Sequence, residues 1–213
     1  MYFYDMKKLL ITSILLFSSS QLRAQTAAIP DVYFEQALID LGLDSILDSF
    51  VLTENINIVN TLDVYGKSIS DLTDIQYFTA LTQLNCSNNQ LTSIDVAQNT
   101  GLAFLNCGDN GITSLDVSQD TALGYLACEL NQLTSLDVSQ NTGLAFLDCS
   151  NNQLSCLNIK NGPNTTIVDE KLLASNNPNL ICIGVDDVAY SKSNWTLIDA
   201  GVSFSTDCSS CLD

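Results

Sequence analysis

The chain has 213 residues, 46% of them hydrophobic and 15% charged, with 7 Lys+Arg, 24 Asp+Glu and no histidine. A formal charge of -17 argues against nucleic acid as a partner, because backbone phosphates are neutralised by Lys and Arg. The missing histidine removes Ser-His-Asp and Cys-His nucleophile pairs and every His-ligated metal site. Carboxylate-only chemistry survives that filter.

At the N-terminus, Lys7 and Lys8 precede an apolar run from Leu9 to Phe17, then a Ser-rich stretch and Leu22-Arg23-Ala24. A charged start, a short apolar stretch and a small residue before the cut are the marks of a secretory signal peptide. The predicted leader is 1–24, so Gln25 opens the mature chain. The apolar run is far shorter than the roughly 20 residues of a membrane span. No longer one follows, so an exported product with no transmembrane segment is expected. Residues 25–58 are predicted to form an N-terminal cap with a helix at about 31–43. Asp31 can cap that helix, Phe34, Ala37, Leu38 and Leu41 keep helical spacing, and Gly42 stands at its end.

A period of 21 residues dominates the middle. Leu81, Leu102, Leu123 and Leu144 keep that interval, as do Cys86, Cys107, Cys128 and Cys149, and Asn89, Asn110, Asn131 and Asn152. An earlier unit is visible at an offset of 22, with Lys67 in the Asn slot. Each unit reads L-x-x-L-x-C-x-x-N-x-L, the leucine-rich repeat consensus with Cys in the third apolar position. Residues 59–163 are therefore predicted to form about five stacked coils. The predicted class is an α/β solenoid, mostly β, with parallel strands on its concave face. A small helical cap precedes it, and residues 164–213 are expected to form a degenerate last coil and an irregular C-terminal cap. Alternation directs Leu84 and Cys86 inward, and the Asn ladder is expected to satisfy backbone groups of neighbouring coils.

The cysteines fall into two groups. Cys86, Cys107, Cys128 and Cys149 form a straight inward row, which suits small buried hydrophobes better than converging metal ligands. Cys156, Cys182, Cys208 and Cys211 come late and are disulfide candidates. Adjacent coils would bring Cys156 and Cys182 within bridging distance, so a Cys156–Cys182 bond is expected. A Cys208 partnership with either of them and a local Cys208–Cys211 pair stay open.

The candidate binding residues lie on outward strand positions. Gln83, Phe104, Tyr125 and Phe146 form one column, and three successive aromatics there make a stripe of the kind that protein and sugar sites use. A ladder that only packs on itself is the competing reading. Asn85, Asn106 and Asp148 lie beside the stripe, then Glu129. On the other arm of each coil Asp95, Asp116 and Asp137 form a row. Solvation and turn hydrogen bonds suffice for them; calcium held between carboxylates is the sharper alternative. Otherwise no metal and no cofactor is expected.

These repeats resemble those of bacterial leucine-rich repeat proteins related to the internalins, and of secreted members with units of the form L-x-x-L-x-C-S-N-N-Q-L-T-S-L-D-V-S-x-N-T. The resemblance extends to Ile29-Pro30-Asp31 and to Asn176-Asn177-Pro178-Asn179-Leu180. It implies a non-enzymatic binding module outside the cell, secreted or on the bacterial surface. The implied partner is an extracellular protein or a surface glycan. Protein binding through the concave face is the leading expectation, with a structural spacer as the alternative. No catalytic residue is expected, and a monomer is.

Overall fold

The computed structural model describes residues 25–168 and 170–208. The predicted leader lies outside them, and so does Cys211. In chain order the elements are β1 (Thr26–Ala28), α1 (Val32–Asp40), β2 (Phe50–Leu52), α2 (Thr53–Ile56) and β3 (Thr61–Asp63). A 3-10 turn at Ile75–Tyr77 precedes β4 (Gln83–Asn85), β5 (Phe104–Asn106), β6 (Tyr125–Ala127), β7 (Ser135–Asp137) and β8 (Phe146–Asp148). Then come β9 (Cys156–Ile159), β10 (Leu172–Ala174), β11 (Cys182–Val185), α3 (Val188–Asn194), β12 (Leu197–Ile198) and β13 (Ser203–Ser205).

Short strands recur because each coil offers only one outward–inward–outward triplet per arm. Stacking places them in two parallel sheets. One runs β12-β10-β8-β6-β5-β4-β3, the other β13-β11-β9-β7. Leu84, Leu105, Leu126 and Leu147 lie in register across the larger sheet and are fully buried. Cys86, Cys107, Cys128 and Cys149 are buried free thiols directly behind them. A single coil cannot bury such a face, so neighbour contacts along the stack hold the core together.

The N-terminal cap is tied to the first coil by one carboxylate. Asp31 accepts hydrogen bonds from the Tyr33 and Phe34 amides through one oxygen. Its other oxygen takes the Ser70 amide, the Ser70 hydroxyl and the Asp71 amide. Burial alone would raise its pKa, but these hydrogen bonds, the Ser70 hydroxyl first, outweigh that and hold it below the usual value. Gly42, at φ +74, ends the helix in a conformation that costs a side-chain residue energy. The helix stops at Asp40, so Leu41 projects outward and is 50% exposed, where helical spacing had placed it inward. Buried Glu35 accepts the Asp48 and Ser49 amides, and Lys67 on the edge coil pairs with Asp40 at 3.5 Å.

Beyond residue 163 the coils continue with a longer repeat. Leu172 pairs with Leu147 and Leu197 with Leu173 in the larger sheet, while Ile183 pairs with Leu157 in the smaller. The Trp195 indole N–H reaches the Ile167 carbonyl at 2.8 Å, and its ring packs edge-on against Tyr190 and Phe204.

The expected Cys156–Cys182 bond is not formed. Cys182 bonds Cys208, with alpha carbons 5.9 Å apart. The local Cys208–Cys211 alternative falls with it, and Cys156 is itself disulfide-bonded. The reason is geometric. Leu157 and Ile183 are paired, so Cys156 and Cys182 lie side by side on neighbouring parallel strands. The chain after β13 brings Cys208 to Cys182, and that thiol takes the bond. The bond closes a separation of 26 residues, so a Cys182→Ala/Cys208→Ala variant is expected to lose about 3 kcal/mol. Hydrogen exchange that accelerates in β11 and β13 while β4 to β6 keep their protection would show it.

Candidate binding surface

Across the larger sheet, corresponding side chains fall one strand apart. Gln83 pairs with Phe104, Phe104 with Tyr125, and Tyr125 with Phe146. The three partly exposed rings stack, with centroids 4.4 and 4.3 Å apart and planes 13° and 3° from parallel. Exposed Gln83 flanks one end. At the other, Lys171 holds its Nζ 5.9 Å from the Phe146 centroid, within reach of the ring's negative face. Lys171 comes from the lengthened coil, and nothing in the 21-residue period points to it.

The neighbouring column is Asp63, Asn85, Asn106, Ala127 and Asp148. Several of its oxygens are committed locally. Asn85 accepts the Ser87 hydroxyl at 2.7 Å, Asn106 the Gly108 amide at 3.1 Å, and Asp148 the Ser150 hydroxyl at 2.6 Å. Each leaves polar atoms at the surface.

The third column departs most from the repeat. Ser87 and Ser150 occupy it in their coils, but Gly108 and Glu129 are adjacent. A Cβ at residue 108 would overlap the Glu129 carboxyl group, so the glycine makes the room into which Glu129 leans. Burial pushes the Glu129 pKa up, its backbone hydrogen bond opposes this, and the Asp148 and Asp109 charges add to the rise. One Glu129 oxygen is buried without a hydrogen-bond partner among the described residues. Burial, with help from Glu129 and Asp148, also raises the Tyr125 hydroxyl. Next in sequence, Leu130 stands at φ 54, where other coils place Asn88, Asp109 and Asn151. Asn and Asp tolerate that left-handed region; leucine does so at a cost of about 1–2 kcal/mol. Leu130 is nevertheless 50% exposed.

The remaining singled-out residues sit elsewhere. Asp95, Asp116 and Asp137 each accept the amide two residues on, from Ala97, Ser118 and Ser139. Those bonds, with the Ser118 hydroxyl, hold Asp116 below its ordinary pKa. Asn89, Asn110, Asn131 and Asn152 line the inside of the turn after each strand of the larger sheet. Asn131 donates to the Cys107, Cys128 and Glu129 carbonyls and accepts the Ile112 amide at 2.9 Å. Asn177 repeats the pattern one coil further, accepting the Leu154 amide. Burial pushes the row of thiols up, Cys107 to about 12, so they are neutral packing groups.

No family profile and no curated protein matches the chain. Among solved structures it is similar to the functional domain of InlJ from Listeria monocytogenes, which includes a cysteine ladder. Identity is 30% and TM-score 0.63, over 84% of this chain and 43% of that one. Four stacked thiols, one per coil, recur here. The chain is an internalin-like leucine-rich repeat solenoid. A second internalin from that organism, InlF, aligns with TM-score 0.56 at 19% identity, over 84% of this chain and 61% of that one. A third, internalin C2, has TM-score 0.50 at 20% identity, over 86% and 99%; both show the fold alone. The solenoid thus spans about half the length of the first two. None of its described helices is long and apolar enough to cross a membrane.

Proposed function

We propose that this solenoid is an exported, non-enzymatic binding module that docks an extracellular protein on the concave, outward face of its seven-stranded sheet. The stacked stripe of Phe104, Tyr125 and Phe146 carries the reading. Clustered aromatics at the centre of a face supply most of the energy in protein interfaces. The Cys182–Cys208 bond fits an oxidising compartment, in keeping with the leader predicted at 1–24.

The ring geometry favours protein over glycan. Sugars stack on aromatic faces, and both faces of Tyr125 are covered by its neighbours. Edges and tops remain, which suit the irregular apolar contacts of a polypeptide.

The test begins with capture from host or bacterial surface extracts and identification of the bound protein. Its affinity is then measured for the wild type and for Phe104→Gln/Tyr125→Gln/Phe146→Gln, which extends the Gln83 side chain along the column. Affinity should fall by about 2 kcal/mol or more with the circular-dichroism spectrum kept. An unchanged affinity removes the stripe as the docking face, and failure to capture any protein leaves the spacer reading.

A further inference from the structure

The fourth coil is where a nearly uniform repeat changes character. Across equivalent positions the sequence keeps Asn85 and Asn106 but has Ala127; it keeps Ser87 and Ser150 but has Glu129; it keeps Asn88 and Asn151 but has Leu130. All three changes fall beside Tyr125, on one side of one coil. Two of them work against the fold. Glu129 is half-buried near Asp109 and Asp148, with an unpartnered oxygen, and like charges in proximity repel. Leu130 combines a left-handed backbone with an exposed apolar side chain. Strain and uncompensated charge kept at one surface spot point to a ligand that relieves them.

The chemistry of the spot describes that ligand. It presents the stacked ring edges, with exposed Leu130 in the same coil, against carboxylates at Glu129, Asp148 and Asp109. The matching side chain has a long aliphatic stem and a cationic head, since Arg and Lys lay their methylenes on apolar surface while the head seeks a carboxylate. Lys171 already holds its cation against the far end of the stripe, while among the described residues the one ion pair is Lys67–Asp40, on the edge coil. The acidic patch is therefore free for a partner's cations, and the net charge of -17 steers such a partner in.

We infer that the ligand of this face is a basic protein segment, whose Arg or Lys stems lie on the Phe104–Tyr125–Phe146 stripe and Leu130 while their heads pair with Glu129 and Asp148. The inference rests on the docking face proposed above and specifies what that face selects.

Isothermal titration with a soluble arginine-and-leucine peptide, and with its glutamate-for-arginine counterpart, tests it at physiological salt. Four proteins are compared: the wild type, Glu129→Gln/Asp148→Asn, the distant pair Asp116→Asn/Asp137→Asn, and the triple Gln stripe variant. The expected result is binding of the cationic peptide alone, weakened at least about tenfold by Glu129→Gln/Asp148→Asn. The distant pair, which removes the same charge, should change affinity less than about twofold. Equal weakening by both acid pairs means diffuse attraction by net charge and overturns the inference. So does the absence of binding up to about 1 mM. Loss of binding in the stripe variant with none in Glu129→Gln/Asp148→Asn overturns the cationic specificity and leaves the docking face standing. Indifference to every variant overturns both.

Discussion

Replacing Asn131 by Ala is expected to cost roughly 2–4 kcal/mol, with the damage centred on the turn between the third and fourth coils. The side chain is buried, with 8% of its surface exposed. Its amide nitrogen serves the Cys107, Cys128 and Glu129 carbonyls and its oxygen takes the Ile112 amide. Alanine leaves the Ile112 amide bare where the coil turn is closed to solvent, and a bare buried backbone group costs about 1–3 kcal/mol. The three carbonyls lose one of two donors each: Cys107 keeps Asn110, Cys128 keeps Asn152, and Glu129 keeps the Asp109 amide. Because stability in a stack is carried between neighbours, the damage is local to the third and fourth coils. Hydrogen exchange should show the Ile112 amide losing protection first, with Leu133, which Asn152 holds, and β3 and β4 spared. The exposed neighbour Gln132 is the control, and Gln132→Ala should stay within about 0.5 kcal/mol of wild type. A loss below 1 kcal/mol for Asn131→Ala would mean that the turn admits water and the ladder is dispensable.

That rung was legible in the sequence, and so was most of the architecture it belongs to. A period read in five registers at once leaves one stacking solution, and the inward row of thiols and the outward row of aromatics follow from alternation. Asp31 announced its cap because Phe34, Ala37 and Leu38 follow it at helical spacing. The parts that escaped detection are those where spacing changes or where meaning lies in a departure from the repeat. Lys171 reaches Phe146 only because the coil after β8 is longer than its predecessors. The Cys182–Cys208 bond stood in the sequence only as one open alternative, because no periodicity encodes where the turn after β13 carries residue 208. Leu130 was visible as the odd residue in the series Asn88, Asp109, Leu130, Asn151. Its weight emerges only with its left-handed backbone and its exposure.

A second departure of the same kind gives the largest expected effect of pH. Asn99, Asp120 and Asn141 stand 21 residues apart inside the turns of the other arm. Asn99 donates to the Ile75 and Phe78 carbonyls at 3.1 Å, and Asn141 to the Val117 and Asp120 carbonyls at 2.9 Å. Asp120, fully buried, faces the equivalent carbonyls with a carboxyl group, and neither of its oxygens has a partner among the described residues. An ionised carboxylate has no hydrogen to give. Burial, followed by the charge of Asp116, pushes its pKa from 3.8 to about 7. An acid whose pKa is higher folded than unfolded binds its proton more tightly in the native state. Its contribution is therefore complete below the unfolded value, and declines as pH rises from about 4 through about 7.

Asp120→Asn supplies the missing N–H donors and removes the titration. The variant should melt higher than wild type at every pH, by a margin that is small near pH 4 and levels off above pH 7. Between those limits the margin should grow by about 1.4 kcal/mol per pH unit. Asp31, whose pKa is lowered on folding, acts in the opposite direction and destabilises both proteins equally on acidification, while the coupling of Asp116 to Asp120 belongs to the Asp120 titration itself. The difference between the two melting profiles therefore isolates Asp120. Parallel profiles across the range would show that this carboxylate finds solvent or a cation in the native turn, and that the second ladder is open where the first is sealed.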